Sequence, residues 1–187
     1  MKFCIFCERI FDDECFEALK AFCEKQLRGG VWQILNDPCF YPRLYPENVK
    51  LFCLTPVNYE LAVAEQGYTG TKAQLSKIMA ERYRELSWMG CDIDLHLHLS
   101  LRPEKLSLKQ EDKMFKEAID WMKKNGFNCK EWMAGWYLFS DQSIKLGKKY
   151  GLKYTLSKGF YQIHEYELYG NIYSIIMILQ NVRHLFR

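Results

Sequence analysis

The sequence predicts an α/β fold built around a mostly parallel β-sheet. Short apolar, β-rich runs alternate with longer stretches in which apolar residues recur at helical spacing, and this alternation is typical of repeated strand–helix units. The 187 residues fit one domain spanning 1–187, which is long enough to bury its own core. About six strands are predicted, at Phe3–Cys7, Val49–Leu54, Ile93–Leu99, Trp132–Trp136, Lys153–Leu156 and Phe160–Tyr166.

Helices are predicted between these strands, and several have clear boundaries. The first begins near Asp13, and Thr71 and Ser107 are expected N-caps of the next two, because their hydroxyls can accept a hydrogen bond from a free amide of the first turn. The helix after Ser107 should stop at Asn125-Gly126. Further helices are predicted at 141–150 and 172–186, and the long connections 29–48 and 57–70 are candidates for functional loops.

Composition and charge exclude several classes of partner. The net charge of +3 comes with no concentrated basic face beyond Lys145–Lys153, which we interpret as the solvated end of a helix, so nucleic acid is not expected. No apolar run approaches the roughly 20 residues that span a bilayer. The N-terminal residues MKFCIFCERIFDDE become acidic too early for a signal peptide. We therefore expect a cytoplasmic protein without a membrane partner.

In that compartment the eight cysteines should be reduced thiols. Cys4 and Cys7 form a C-x-x-C motif, which can mark a zinc knuckle or a redox pair. However, no second C-x-x-C follows, and the pair lies within a predicted strand. Buried thiols that pack as small hydrophobic groups are therefore the favoured interpretation.

The sharpest local feature is the run Asp94-Leu-His96-Leu-His98-Leu-Ser100. Alternate residues of a strand share a face, so the four polar side chains should project one way and the three leucines the other. Two imidazoles on one face can reach a single metal ion, at roughly 2.0–2.1 Å from each nitrogen if the ion is zinc. The sequence thus predicts one divalent metal ion, most simply zinc, at His96 and His98.

Further ionisable groups follow other predicted strands. Asp12 and Asp13 come after the first strand, where they can cap the next helix or lie at the carboxyl edge of a parallel sheet beside the histidines. His164 lies within the last strand. Taken alone it would be a structural histidine, but its position places it at the same predicted edge.

The order of these motifs resembles the polysaccharide deacetylase superfamily, in a divergent branch with an H-x-H metal motif. That resemblance implies an irregular, incomplete (β/α) barrel of about six to seven mostly parallel strands. It rests on Phe11-Asp12-Asp13, His96-Leu-His98, Lys124-Asn-Gly-Phe127, Trp132-Met-Ala-Gly-Trp136, Leu146-Gly-Lys-Lys-Tyr-Gly151 and Ile163-His164-Glu-Tyr166, in that order along the chain.

The resemblance also implies roles for individual residues. Asp12 would be the general base and His164 the general acid, with Asp13, His96 and His98 as the metal ligands. The implied reaction is metal-assisted hydrolysis of an N-acyl group on a carbohydrate-like substrate. The candidate substrate contacts are Trp136, Tyr59 and, through backbone amides that could hold an oxyanion, Gly135.

Two departures from the family pattern bear on activity. Glu14 stands where the family usually has a glycine after the paired aspartates, and Met133 stands where it usually has an arginine that orients the catalytic carboxylate. Without that cation, the pKa of Asp12 is expected to be higher than in relatives and the activity lower.

Two alternatives remain open. Asp94 to His98 also matches the D-x-H-x-H motif of PHP-type or amidohydrolase-type metal phosphoesterases. A non-catalytic, degenerate barrel could instead bind a saccharide or a protein partner through aromatic side chains. Metal content separates the enzymatic alternatives from a binding module, which need hold no ion. The aromatic candidates are Tyr59, Trp132, Trp136 and Tyr137.

Overall fold

The computed structural model describes residues 2–27, 49–101, 104–155 and 160–168. The predicted helix at 172–186, the connection 29–48 and the last residue of the predicted strand at 153–156 lie outside these ranges. The described strands are β1 (Lys2–Cys7), β2 (Val49–Cys53), β3 (Asp92–Leu97), β4 (Ser100–Leu101), β5 (Glu104–Lys105), β6 (Glu131–Ala134), β7 (Lys153–Tyr154) and β8 (Phe160–His164). The described helices are α1 (Asp13–Leu27), α2 (Tyr59–Ala64), α3 (Lys72–Trp88), α4 (Leu108–Lys124), α5 (Asp141–Lys149) and α6 (Glu165–Leu168).

Six of the strands form one sheet in the order β7-β6-β3-β2-β1-β8. Every neighbouring pair in it is parallel, which confirms the predicted parallel α/β architecture. In the described part of the chain this sheet is open, with β7 at one edge and β8 at the other. The short strands β4 and β5 pair antiparallel with each other, apart from the main sheet.

Helix starts match the local signals in the sequence. Thr71 and Ser107 each form a capping box. The hydroxyl of the cap residue accepts a hydrogen bond from the backbone N–H of the third helical residue, a glutamine, and the side-chain oxygen of that glutamine accepts one from the N–H of the cap residue. The helix that Ser107 caps ends at Lys124, directly before Asn125 and Gly126, and Gly126 adopts a φ of 85°. Both predicted caps and the predicted stop signal are confirmed.

The two faces of the sheet have different surroundings. On one face, apolar side chains of β1, β2 and β3 are buried together with residues of α1, α3 and α4. On the other face, Cys4, Phe6, Phe52 and Met133 form a separate small buried cluster. The predicted strand alternation is confirmed by Leu95, Leu97 and Leu99, which pack against Phe115 and Ile119 of α4.

The C-x-x-C cysteines lie on opposite faces of the sheet. Cys4 belongs to the small cluster and Cys7 to the helix-covered core, and both are fully buried. Burial raises the pKa of the Cys4 thiol to about 12, so that group is an un-ionised packing group. The prediction of buried thiols is confirmed. Among the helices within the described ranges, none combines the length and apolarity needed to cross a membrane.

Candidate metal centre

Strand register brings two distant parts of the chain to the same level of the sheet. Cys7 of β1 and Leu95 of β3 both pair with Cys53 of the strand between them. Glu8 and His96 each come one residue later, so they lie at the same carboxyl edge and on the same side. His98 follows two residues after His96, directly beyond the end of β3.

Three ligand atoms meet at this edge. Glu8 Oε1 lies 3.0 Å from the Nε2 atom of His96 and 3.0 Å from the Nε2 atom of His98. The two Nε2 atoms are also 3.0 Å apart. Both imidazoles are about 2% exposed, and the Glu8 side chain is 13% exposed. In the described ranges these three residues form the one group of His, Cys, Asp or Glu side chains arranged closely enough to hold a metal ion.

The protonation states of the group suit metal ligation. Burial lowers the pKa of His96 to about 4, although the hydrogen bond with Glu8 acts in the opposite direction. Burial on its own would raise the pKa of Glu8, but hydrogen bonds with His96 and His98 outweigh it and hold that pKa well below its usual range. Near neutral pH the group therefore holds a neutral His96 and an ionised Glu8, which are the forms that bind metal ions.

A single cation fits the triangle of atoms. Because the three ligand atoms lie 3.0 Å from one another, one ion at a ligand distance of about 2.1 Å could contact all of them. Three protein ligands would leave coordination positions for water or substrate. Two histidines and one carboxylate in this arrangement are used by both zinc hydrolases and non-haem iron enzymes. The residues therefore fit a divalent transition metal and do not select one.

His98 is held by packing and by its backbone. The side chain of Asn58, itself buried, donates to the His98 carbonyl at 3.0 Å and accepts from the His98 N–H at 3.4 Å. Gly135 lies against the imidazole so closely that a Cβ there would overlap the ring. Trp136 meets the ring edge-to-face with centroids 4.5 Å apart, and its backbone adopts a left-handed φ of 50°. Strained backbone of this kind clusters at functional sites.

His164 lies at the border of the group. Its Nδ1 atom is 3.7 Å from Glu8 Oε2, and 34% of its side chain is exposed. Its ring stacks on Tyr166 at a centroid distance of 4.9 Å. Phe6 contacts both histidines, with its ring centroid 4.9 Å from that of His96 and 5.2 Å from that of His164. The structure thus brings together His96, His98 and His164, as the sequence predicted.

Asp13 is not brought to this group. Its carboxylate forms an ion pair with Arg82, and 88% of its side chain is exposed. The carboxylate beside the two histidines belongs to Glu8, which the sequence reasoning missed. A signal was present, because Glu8 directly follows the first strand, whereas the Phe11-Asp12-Asp13 motif lies several residues further along.

Asp12 caps α1 and pairs with a neighbouring cation. Its Oδ1 accepts from the Cys15 N–H at 3.0 Å, and its Oδ2 lies 3.2 Å from Nη2 of Arg9. The Cys15 amide above all, together with Arg9, lowers the pKa of Asp12. Arg9 therefore supplies a cation beside Asp12, although Met133 stands where the family resemblance implies an arginine. Met133 is fully buried in the small apolar cluster.

Two other candidates are engaged elsewhere. The hydroxyl of Tyr59 donates to the Gly70 carbonyl at 3.0 Å, and its ring packs against Tyr68, so this residue stabilises the connection after β2. Asp94 accepts from the backbone amides of Lys130 and Glu131 at 2.9 and 2.8 Å. Although Asp94 shares a strand face with His96, it ties β3 to the start of β6. Gly135 and Trp136, by contrast, both contact His98.

Another carboxyl group lies behind Glu8. Glu165 is fully buried, and burial raises its pKa to about 8, although hydrogen bonding from the backbone, including the Arg9 N–H, acts in the opposite direction.

Comparison of the chain with protein-family models, curated proteins and solved structures gave no match. The interpretation of the site therefore depends on its own geometry and on the motif order in the sequence.

Proposed function

We propose that the protein is a divalent-metal-dependent hydrolase that removes an N-acyl group from a carbohydrate-like substrate. Glu8, His96 and His98 are its metal ligands in this proposal, with zinc as the ion. The observation that carries it is the convergence of their three ligand atoms, each 3.0 Å from the other two, at the carboxyl edge of a parallel sheet. In parallel α/β barrels that edge is where active sites lie.

The distribution of side chains over the two sheet faces supports a barrel-type fold for this function. Helices cover one face, as they cover the outside of a (β/α) barrel. The other face carries Phe6, Phe52 and Met133 below the metal group, as an inner barrel surface would. We propose an incomplete barrel of the polysaccharide-deacetylase-like type, consistent with the order of motifs along the chain.

The residues around the group fit hydrolysis of an amide. A bound divalent ion would polarise the substrate carbonyl and make water a better nucleophile. His164 is partly exposed beside Glu8, so its imidazole can deliver a proton to the departing nitrogen. Trp136 and the 38% exposed Tyr166 offer flat aromatic surfaces near the group, on which the apolar face of a sugar ring can pack.

The surroundings of Asp94 bear on the phosphoesterase alternative. In that alternative the first residue of the D-x-H-x-H motif should join the metal site. Here the Asp94 carboxylate is occupied by two backbone amides at the start of β6. The deacylase proposal needs only the two histidines of that motif together with Glu8, so the contacts of Asp94 favour it.

Turnover by metal-reconstituted protein tests the proposal. The protein is first freed of metal with a chelator and then loaded with zinc. Release of acetate from short N-acetylated chitin-type oligosaccharides is measured beside release of phosphate from a phosphomonoester. Acetate release should require zinc, disappear in His96→Ala and His98→Ala, and persist in Asp13→Asn, which alters an exposed carboxylate outside the group. Phosphate release alone would favour the phosphoesterase, and bound zinc without either product would favour a binding role; both results contradict the proposal.

A further inference from the structure

Glu165 is a buried carboxyl group that contacts the chain segment carrying Glu8. It is the first residue of α6, directly after His164 at the end of β8. Its side chain is fully buried, and its Oε1 accepts a hydrogen bond from the backbone N–H of Arg9. The other carboxyl oxygen, Oε2, is buried without a hydrogen-bond partner among the described residues. One side chain therefore binds a backbone amide that is 156 positions away in sequence.

The amide that Glu165 binds lies where the strand ladder stops. The last described pairs of β1 are Phe6 with His164 on one side and Cys7 with Cys53 on the other. Beyond these pairs, the N–H group of Arg9 needs another acceptor, because a buried amide without a partner costs about 1–3 kcal/mol. Glu165 supplies that acceptor, and Leu168 anchors α6 in the helix-covered core.

We infer that Glu165 is a positioning residue of the metal centre, fixing the backbone at Arg9, directly after Glu8, so that the Glu8 carboxylate faces His96 and His98. His164 and Glu165 are adjacent, and each contacts a different part of the Glu8–Arg9 segment. His164 lies beside the Glu8 carboxylate, with Nδ1 3.7 Å from Oε2, while Glu165 accepts from the backbone N–H of the next residue. This inference rests on the proposed metal site, and it assigns Glu165 no contact with the ion or the substrate.

Two substitutions separate the hydrogen-bond role from simple space filling. Glu165→Gln keeps a side-chain oxygen that can accept from the Arg9 amide, whereas Glu165→Leu keeps similar bulk and removes every acceptor. Glu111→Leu is the matched control, because Glu111 is also buried but accepts from Ser143 in the contact between α4 and α5. Substitution of groups that orient metal ligands typically lowers metal affinity by about 10–100-fold.

The experiment measures zinc affinity by competition with a chromophoric chelator, the visible spectrum of the cobalt-loaded protein, and hydrogen exchange of the Arg9 amide in metal-free protein. Glu165→Leu should bind zinc about 10–100-fold more weakly, alter the cobalt spectrum and expose the Arg9 amide to exchange. Glu165→Gln should stay within a few-fold of wild type, and Glu111→Leu should keep the wild-type zinc affinity and cobalt spectrum.

Wild-type zinc affinity and a protected Arg9 amide in a folded Glu165→Leu variant would overturn the inference. Equal losses in the Gln and Leu variants would also overturn it, because they would show that an accepting oxygen is not sufficient. If wild-type protein itself binds no zinc, the proposed function fails. In that case the exchange of the Arg9 amide still decides whether Glu165 fixes this segment.

Discussion

Glu8 Oε1 lies 3.0 Å from Nε2 of His96, although 88 positions separate the two residues. The contact depends on β1 and β3 flanking β2 in parallel, with Cys7 and Leu95 paired to the same cysteine. His98 completes the triangle because it is the next residue on the same strand face. The candidate metal centre is therefore a product of strand order and register.

Acid should destabilise the metal-free protein through His96. The pKa of His96 is about 4 in the folded chain and near 6.5 when unfolded, so only the unfolded state takes up the proton between these values. Stability is then lost as the pH falls from about 6.5 to about 4, by up to about 3 kcal/mol. Denaturant unfolding of chelated protein across this range measures the loss. His96→Gln should flatten the dependence, and an unchanged slope in that variant would contradict the assignment.

Two glycines allow a matched test of how His98 is held. A Cβ at Gly135 would overlap the His98 ring, and a Cβ at Gly147 would overlap the indole of Trp132 in the core beneath α5. Gly135→Ala and Gly147→Ala should both lower the melting temperature, because the added methyl group overpacks a buried ring. Overpacking of this kind lowers the free energy of unfolding by about 1–3 kcal/mol. Only Gly135→Ala should also weaken zinc binding, measured by chelator competition. Equal zinc affinity in the two variants would show that Gly135 does not position the ligand.

Local signals allowed much of the fold to be predicted. The caps at Thr71 and Ser107 depend on residues within one helical turn, and the alternation in β3 depends on neighbouring positions, so both are readable from the sequence. The role of Glu8 was not readable in this way, since it needs the pairing of three strands. Asp12 and Asp13 also follow β1, but the turn before α1 directs their carboxylates to the Cys15 amide and to Arg82.

Asp12 should behave as a helix cap. Asp12→Ala removes the acceptor for the Cys15 amide and should lower the free energy of unfolding by about 1 kcal/mol. Because Asp12 lies outside the group of ligand atoms, the Asp12→Ala variant should bind as much zinc per chain as wild type. Calorimetry and elemental analysis of the same sample check both parts. Loss of zinc with unchanged stability would contradict this assignment and make Asp12 a candidate metal ligand instead.

The assignment of Glu8 as a metal ligand is tested most directly by zinc content. Glu8→Gln and Asp13→Asn are compared by elemental analysis after dialysis against a weak chelator. Glu8→Gln removes the anionic ligand and nearly preserves its shape, while Asp13→Asn changes the exposed carboxylate that the family resemblance implied as a ligand. We expect about one zinc per chain in wild type and Asp13→Asn, and a large loss in Glu8→Gln. One zinc retained in Glu8→Gln and lost in Asp13→Asn would contradict this assignment.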